Sequence, residues 1–479
     1  HHVSYGIHVY GAAQSSPSFL NAVSLYVPET VERSFSHDGS GAEPGIKDLD
    51  GNWDTRPHSD RITAVDSETL GLWAGVTGAE VPSQTPMVYT VNETLQRVLA
   101  KTSSAPRVGD ARFSFSRGWD ESIDRKGGKF EVGWGAPDSW DEVILQGPHM
   151  HVGNPVYKYP NPTMKHNQDW HFVDLETLPP QAIPVTAYKR LASKDVYDAA
   201  YTDWGIPGRP DPARNHFRVA WRRMAATTGE RTLIPAIIPP GAAHVHPVTS
   251  AGASSQSHLV SAAGQSSSLL LDLQIRSAGK ADIHGRNFAR LPLVLDHPLS
   301  PALHLRTLRL NCLTDAYADL WDEVWEDSFA TDQWAGGRDR GNRLPLGDVG
   351  PVWSAATPLR LAEDRRQALV EIDAIVAVML GVTADELATV YRTAFPVLYG
   401  YDKNRDYYDL NGRLVPGDVV KAWQKSGDAT PVEELTATNA SGNTYVYEPP
   451  FTTLDREADL REAHAYFTSL LSSLEEADE

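Results

Sequence analysis

The alternation of hydrophobic and polar positions is most regular between residues 359 and 395. Leu369, Ile372, Val376 and Met379 recur at helical spacing with charged residues between them, and Gly381 follows as a stop. Thr383 stands three residues before Glu386, the spacing of a capping box. It predicts a second helix that carries Leu387, Val390, Tyr391 and Ala394 and ends before Pro396. The face formed by Leu369, Ile372, Val376 and Met379 is expected to bury itself against a neighbouring helix or a partner domain.

Elsewhere the pattern is shorter in range. Through residues 1–185, β-like runs such as VSYGIHVYG and EVILQGPHMHVG alternate with turn dipeptides and with an expected helix at 91–101, which reads as mixed α and β. The proline-interrupted stretch LPPQAIPVTAYKR reads as a linker into residues 186–345. There RTLIPAII and SSLLLDLQI have the look of buried strands, separated by a Gly, Ser, Ala and Gln-rich loop at 251–268 whose length suits a functional or mobile segment. YADLWDEVWEDSF predicts an amphipathic surface helix with Leu320, Trp321 and Val324 inward. After the helical pair of residues 346–395, residues 396–479 are aromatic and turn-rich, with DYYDLNGRLVP and YVYEPPF, and close on an acidic helix from about Asp455. The expected class is α/β in the mixed α+β sense, in these four regions.

Composition narrows the functional classes. With 41% hydrophobic residues and 13 Trp, 18 Tyr and 12 Phe in 479, the chain is expected to fold into globular units. No run reaches the ~18 apolar residues of a membrane span and no secretory signal opens the chain, so a cytoplasmic protein without a membrane partner is expected. The single cysteine, Cys312, excludes an internal disulfide and a multi-cysteine zinc site. The net charge of −19 is unevenly spread. Residues 205–310 hold twelve Lys and Arg against five Asp and Glu, a balance of +7, and the remainder holds 31 against 57, or −26.

Motifs for chemistry are sparse. His149 and His151, and likewise His244 and His246, are spaced to share one face of a strand and could form half of a metal site. Neither pair has a Cys or carboxylate at ligand spacing, so no metal is expected. Asp272, Gln274 and Lys280 imitate a nuclease centre but put Gln where a carboxylate is needed. There is no Gly-x-Ser-x-Gly elbow for serine chemistry.

Six blocks, QGPHMHVGNPVYKYPNPTMKHNQDW, VDLETLPPQAIPVTAYKR, FRVAWRRMAATTGERTLIPAIIPPG, DIHGRNFARLPL, RRQALVEIDAIVAVMLGVTADEL and YRTAFPVLYGYD, occur in that order between about residues 18 and 467. Together they resemble the C-terminal specificity half of large adenine-specific DNA methyltransferases, the fused type IIG restriction-modification enzymes and related modification enzymes of bacterial phage defence. The resemblance implies a target-recognition domain of the specificity-subunit type, with a helical connector pair that clamps it to the methyltransferase. It implies double-stranded DNA, a methyltransferase domain or subunit and other defence proteins as partners. The family's Asn/Asp-Pro-Pro-Tyr/Phe motif is missing, because NPVY at 154–157 lacks the second Pro and EPPF at 448–451 places Glu at the base-binding position. No glycine-rich loop for S-adenosylmethionine is present either, so that cofactor is expected on a separate catalytic domain and no catalytic residue is expected here.

On this resemblance Arg218, Arg222, Arg223 and Arg231, with Lys189 and Arg190, would hold the DNA backbone. His284, Arg286, Asn287 and Arg290, then Lys165, His166, Asn167 and Gln168, and finally Gln256 and His258, would read base edges, since Arg suits guanine and Asn suits adenine. Asn167 and Asn287 equally suit turn caps, and Arg222 beside Trp221 equally suits a packed stem. The alternative function is an interaction scaffold whose acidic surface docks onto a basic partner.

Overall fold

The computed structural model describes residues 6–12, 14–336 and 344–478. The helical pair forms as Ala362–Met379 and Ala384–Ala394, with Gly381 between them in the left-handed conformation. The Thr383 hydroxyl accepts from the Glu386 N–H, and the Glu386 carboxylate accepts from the Thr383 N–H, which completes the capping box. Pro396 ends the second helix and also opens a further one, Pro396–Asn404, at the position where a missing N–H costs nothing.

The longer helix of the pair is enclosed by its own chain. Ile372 and Val376 are wholly buried, Leu369 and Met379 lie at the margin, and the helices Arg456–Asp478, Ser300–Asn311, Gln256–Ser266 and Leu269–Ser277 pack around it. The face offered for a clamp is therefore covered by intramolecular helices.

Two segments depart from the sequence expectation for one reason. SSLLLDLQI forms the helix Leu269–Ser277 and not a strand, and the loop expected at 251–268 is largely the helix Gln256–Ser266. Both helices are buried around nearly their whole circumference, so neither shows the one-sided periodicity that marks a surface helix. Their starts are capped by Ser255 and Ser268, whose side chains accept from the N–H groups of His258 and Leu271. The small residues serve close approach: a Cβ on Gly264 would overlap the Thr307 hydroxyl and the Leu303 side chain on the helix packed across it.

Against these helices lies a four-stranded antiparallel sheet in the order Pro235–Ile238, Arg218–Arg222, Val248–Gly252, Ser114–Ser116. RTLIPAII supplies its first strand as expected. Trp221, opposite Pro235 and Thr249, is wholly buried, stacks on Phe288 at 4.0 Å between ring centroids, and donates to the Ile283 carbonyl at 2.8 Å. This contact fixes the segment around 283–290 beside the sheet.

Other elements bear on the site. Thr186–Arg190, expected to be the end of a linker, pairs antiparallel with Phe130–Gly135. EVILQGPHMHVG contributes only Ile144–Leu145, parallel to Ala243–His244. Residues 6–11 of VSYGIHVYG form no strand, and its residues 3–5 lie outside the described residues. The helix expected at 91–101 is Glu93–Ser103, capped by Asn92. Ala318–Val324 turns Leu320, Trp321 and Val324 inward as expected. The acidic final helix Arg456–Asp478 buries Leu460, Ala463 and Phe467. The largest hydrophobic cluster runs from Val65 to Phe467 and draws on all four sequence regions, so positions 185 and 345 are not seams between separate cores. No described helix is long and apolar enough to cross a membrane.

Candidate nucleic-acid interface

The arginines of NHFRVAWRRMAATTGERTLIPAIIPPG are mostly turned inward. Arg218 has no exposure and donates to the carbonyls of His216 and Ala242. Arg231 donates to the wholly buried Asp272 carboxylate at 2.8 Å and to the Ser267 carbonyl at 2.6 Å. Arg222 is half-buried, and its Nε donates to the carbonyls of Gly147 and Met150 at 2.9 and 3.1 Å, which ties the sheet to the 147–150 turn. The backbone-clamp expectation is therefore corrected for Arg218 and Arg231, whose donors have no path to a phosphate, and Arg222 spends its Nε on its own chain. Arg223 alone of the four remains at a rim, 3.7 Å from Asp282 and partly exposed. Lys189 is exposed on its strand. Arg190 is half-buried against the Glu142 carboxylate at 3.3 Å.

The segment IHGRNFAR, in contrast, opens onto solvent. Lys280, Asp282, His284, Arg286, Asn287 and Arg290 line one side of an open cleft of about 370 Å³, with Thr77 and Gly78 opposite. Their roles within it differ. The Asn287 side-chain oxygen accepts from the His284 N–H at 3.1 Å, a turn cap, so this amide is already engaged. Arg290 donates to the carbonyls of Thr77 and Gly78, both at 3.3 Å, and lies so close that a Cβ on Gly78 would overlap its guanidinium. What stays available is Lys280, His284 and the exposed Arg286, which has no carboxylate partner among the described residues. The His246 ring sits 6.4 Å from that of His284, near enough to Arg223 and Arg117 to feel both charges. Burial first, and then Arg223 and Arg117, lower the His246 pKa, so that ring is neutral at physiological pH.

The second group of expected readers stands on a separate loop. Lys165, His166, Asn167 and Gln168 are all exposed. The loop is organised around Asp169, which accepts from the Thr163 hydroxyl at 2.5 Å, the Lys165 N–H at 2.9 Å and the Asn161 amide at 2.8 Å. Those hydrogen bonds, Thr163 foremost, hold its carboxyl at about 2. His166 and Asn167 line a smaller cavity of about 150 Å³. Gln256 and His258 occupy the first turn of the helix Gln256–Ser266, half-buried and outside both cavities.

The remaining motifs resolve into fold. His149 lies in a turn, Gly147–His149, not on a strand, with its Nε2 2.9 Å from the Val185 carbonyl. His244 Nε2 meets the Ser250 hydroxyl at 2.8 Å, and His151 pairs with Glu230 at 3.1 Å. Among the described residues no group of three or more His, Cys, Asp or Glu is placed to hold a metal. Asp272 is consumed by Arg231, and Gln274 donates to the Arg290 carbonyl. Asn154 of NPVY caps its own turn by accepting from the Val156 N–H, and Phe451 of EPPF is buried beside Val415 and Val419.

Burial pushes His149 down to about 4 and His244 to about 3, both from an ordinary 6.5. An imidazole whose folded value is depressed contributes its full stability above the unfolded value and loses it as pH falls toward the folded one. The unfolding midpoint should therefore drop between pH 6.5 and about 4. A thermal-melt profile against pH that is unchanged by His149→Gln would show that this ring is not held neutral.

No protein-family model matches the chain, and no curated protein matches it, so the reading of the cleft stands on the residues that line it.

Proposed function

We propose that the chain recognises double-stranded DNA in a sequence-specific manner for an adenine-N6 DNA methyltransferase of a bacterial restriction-modification or phage-defence system. The catalytic centre and its S-adenosylmethionine lie on another domain or subunit, in the cytoplasm. The observation that carries this reading is the cleft in which Lys280, His284 and Arg286 face solvent together, backed by Arg223 at the rim. Arg286 has the free bidentate fork that guanine recognition needs, and Lys280 and Arg223 supply point charges for phosphates.

Arg286→Ala should cost about 1–3 kcal/mol on the preferred site and far less on random duplex, with the methyltransferase partner supplied. Lys280→Ala should weaken all duplexes alike and lower the salt slope by about one unit. Equal ratios of specific to non-specific affinity for Arg286→Ala and the unaltered chain would remove the reader from this cleft.

The inward turn of Arg218 and Arg231 favours a second reading. In a chain of net charge −19, Arg218 buried on carbonyls withdraws one positive charge from the surface and Arg231, buried with Asp272, withdraws none net, so the exterior stays strongly acidic, which suits a scaffold docking onto a basic partner. Absence of duplex binding at 50 mM salt, with retained binding to a basic protein partner, would select it.

A further inference from the structure

Beside the basic cleft an apolar side chain stands out in solvent. Met224, 65% exposed, lies two residues beyond the end of the strand Arg218–Arg222. Its direction is set by backbone pairing. The Ile283 N–H donates to the Arg223 carbonyl at 2.6 Å and the Ala225 N–H donates to the Ala281 carbonyl at 2.9 Å, so Met224 and Asp282 are directly opposed in an antiparallel bridge. The hydrogen bonds belong to their neighbours and not to the two residues themselves, the pairing in which opposed side chains stand closest and on one face. Asp282 lines the cleft, and Met224 therefore projects on the cleft side of this ribbon, at the rim.

The mount is stiff. Arg276 donates from Nη1 to the Thr227 carbonyl at 3.3 Å and from Nη2 to the Gly229 carbonyl at 2.8 Å. Its guanidinium is itself fixed, 4.3 Å from the Phe395 ring centroid and 3.4 Å from the Asp272 carboxylate. The loop that begins at Met224 is thus tied at its far end as well as at its base. The charges around the thioether are largely positive: Arg223 precedes it, and Lys280 and Arg286 line the cleft on the segment paired with it. The carboxylate beside it, Asp282, is 3.7 Å from Arg223 Nε. An exposed thioether adds nothing to the binding of phosphate. Set rigidly among phosphate-binding cations, it has a use where the ligand also has an apolar interior, as a base stack does.

We propose that Met224 is a wedge: in a duplex held at the cleft by Lys280 and Arg286, its side chain enters the stack between adjacent base pairs and kinks the helix. The proposal rests on the DNA reading above. Apolar side chains that protrude from basic surfaces unstack base steps in this way, and the kink brings further phosphates toward the protein. Burial of the thioether between bases offsets part of the cost of unstacking. Pyrimidine–purine steps resist kinking least, so the preferred site should place such a step near the guanine that Arg286 reads. Specificity then extends to a position at which the protein makes no hydrogen bond to a base.

The test uses the full chain and the tightest-binding duplex that it selects from a random pool, labelled at both ends so that energy transfer reports the bend. The unaltered chain should shorten the end-to-end distance. When a single mismatch is scanned along the site, the kinked step should bind about tenfold more tightly, because a mismatched step costs less to unstack. Met224→Ala should lose both the bend and the preference for the mismatch with its melting temperature unchanged, and Met224→Leu should keep both. A duplex that stays straight, or a bend and a mismatch preference that survive in Met224→Ala, overturns the wedge and leaves DNA recognition standing. Failure of the chain to bind any duplex overturns recognition and wedge together. A further arm replaces thymidine by deoxyuridine. Loss of affinity in the unaltered chain but not in Met224→Ala, without a bend, places the thioether against thymine methyl groups in the groove and overturns insertion.

Discussion

Arg231→Ala should destabilise the protein by about 3–5 kcal/mol while leaving no direct trace on DNA affinity, because its guanidinium is an internal strut. Its Nε donates to Asp272 Oδ2 at 2.8 Å and its Nη2 to the Ser267 carbonyl at 2.6 Å, and the Asp272 side chain has no exposure. Removing the arginine strands a buried carboxylate, partly compensated by the Thr232 N–H at 3.0 Å and by Arg276 at 3.4 Å. Urea denaturation of Arg231→Ala beside Arg286→Ala separates the two kinds of arginine. The first should lower the midpoint and the second, exposed and without an ion-pair partner among the described residues, should not. A midpoint unchanged in Arg231→Ala would return this residue to the surface and to the phosphates.

That contrast shows what the sequence can and cannot display. The helical pair was legible because its signals are local: the Thr383–Glu386 box, Gly381 and a spacing of three and four residues all lie within one or two turns of the backbone they control. The cluster of His284, Arg286, Asn287 and Arg290 was legible for the same reason, being contiguous in the chain. Its opposite wall, Thr77 and Gly78, comes from some two hundred residues earlier and left no mark beside it. The buried arginines misled because charge is visible in a sequence and burial is not. Arg218, Ala220 and Arg222 alternate with Val219 and Trp221 along one strand, a pattern that normally puts charge on a solvated face. Here that face is covered by residues 147–150 and 242, whose carbonyls take the guanidinium donors. The helices at 256–266 and 269–277 were unreadable because a helix buried on every side has no polar stripe to set its period.

The same physics governs the centre of the molecule, where Arg306→Ala should have an effect as large as that of Arg231→Ala. Arg306, wholly buried on the helix Ser300–Asn311, donates from Nε to Glu371 at 2.6 Å, from Nη1 to Asp332 at 2.7 Å and from Nη2 to the Gln333 carbonyl at 2.9 Å. Its guanidinium also lies 4.9 Å from the Phe467 ring centroid, so one side chain joins three helices and the 332–333 turn. Burial opposes its charge, but Asp332 and Glu371 outweigh burial and hold the guanidinium above its ordinary value. Glu371 keeps an N–H from Ala335 at 3.0 Å and from Gln367 at 2.9 Å, which is too little to support an unpaired charge with no exposure. Loss of Arg306 alone should therefore cost about 3–5 kcal/mol, and Glu371→Ala a similar amount. The double replacement Arg306→Met with Glu371→Leu should recover much of that loss, since an apolar pair of similar volume strands no charge toward Glu371, although Asp332 still loses its partner. Denaturation of Arg306→Met, Glu371→Leu and the double variant in one cycle measures the coupling. Additive losses would mean that the pair is solvated, whereas strong recovery in the double variant would establish that these ions specify the helix arrangement around residues 362–379 without being its source of stability.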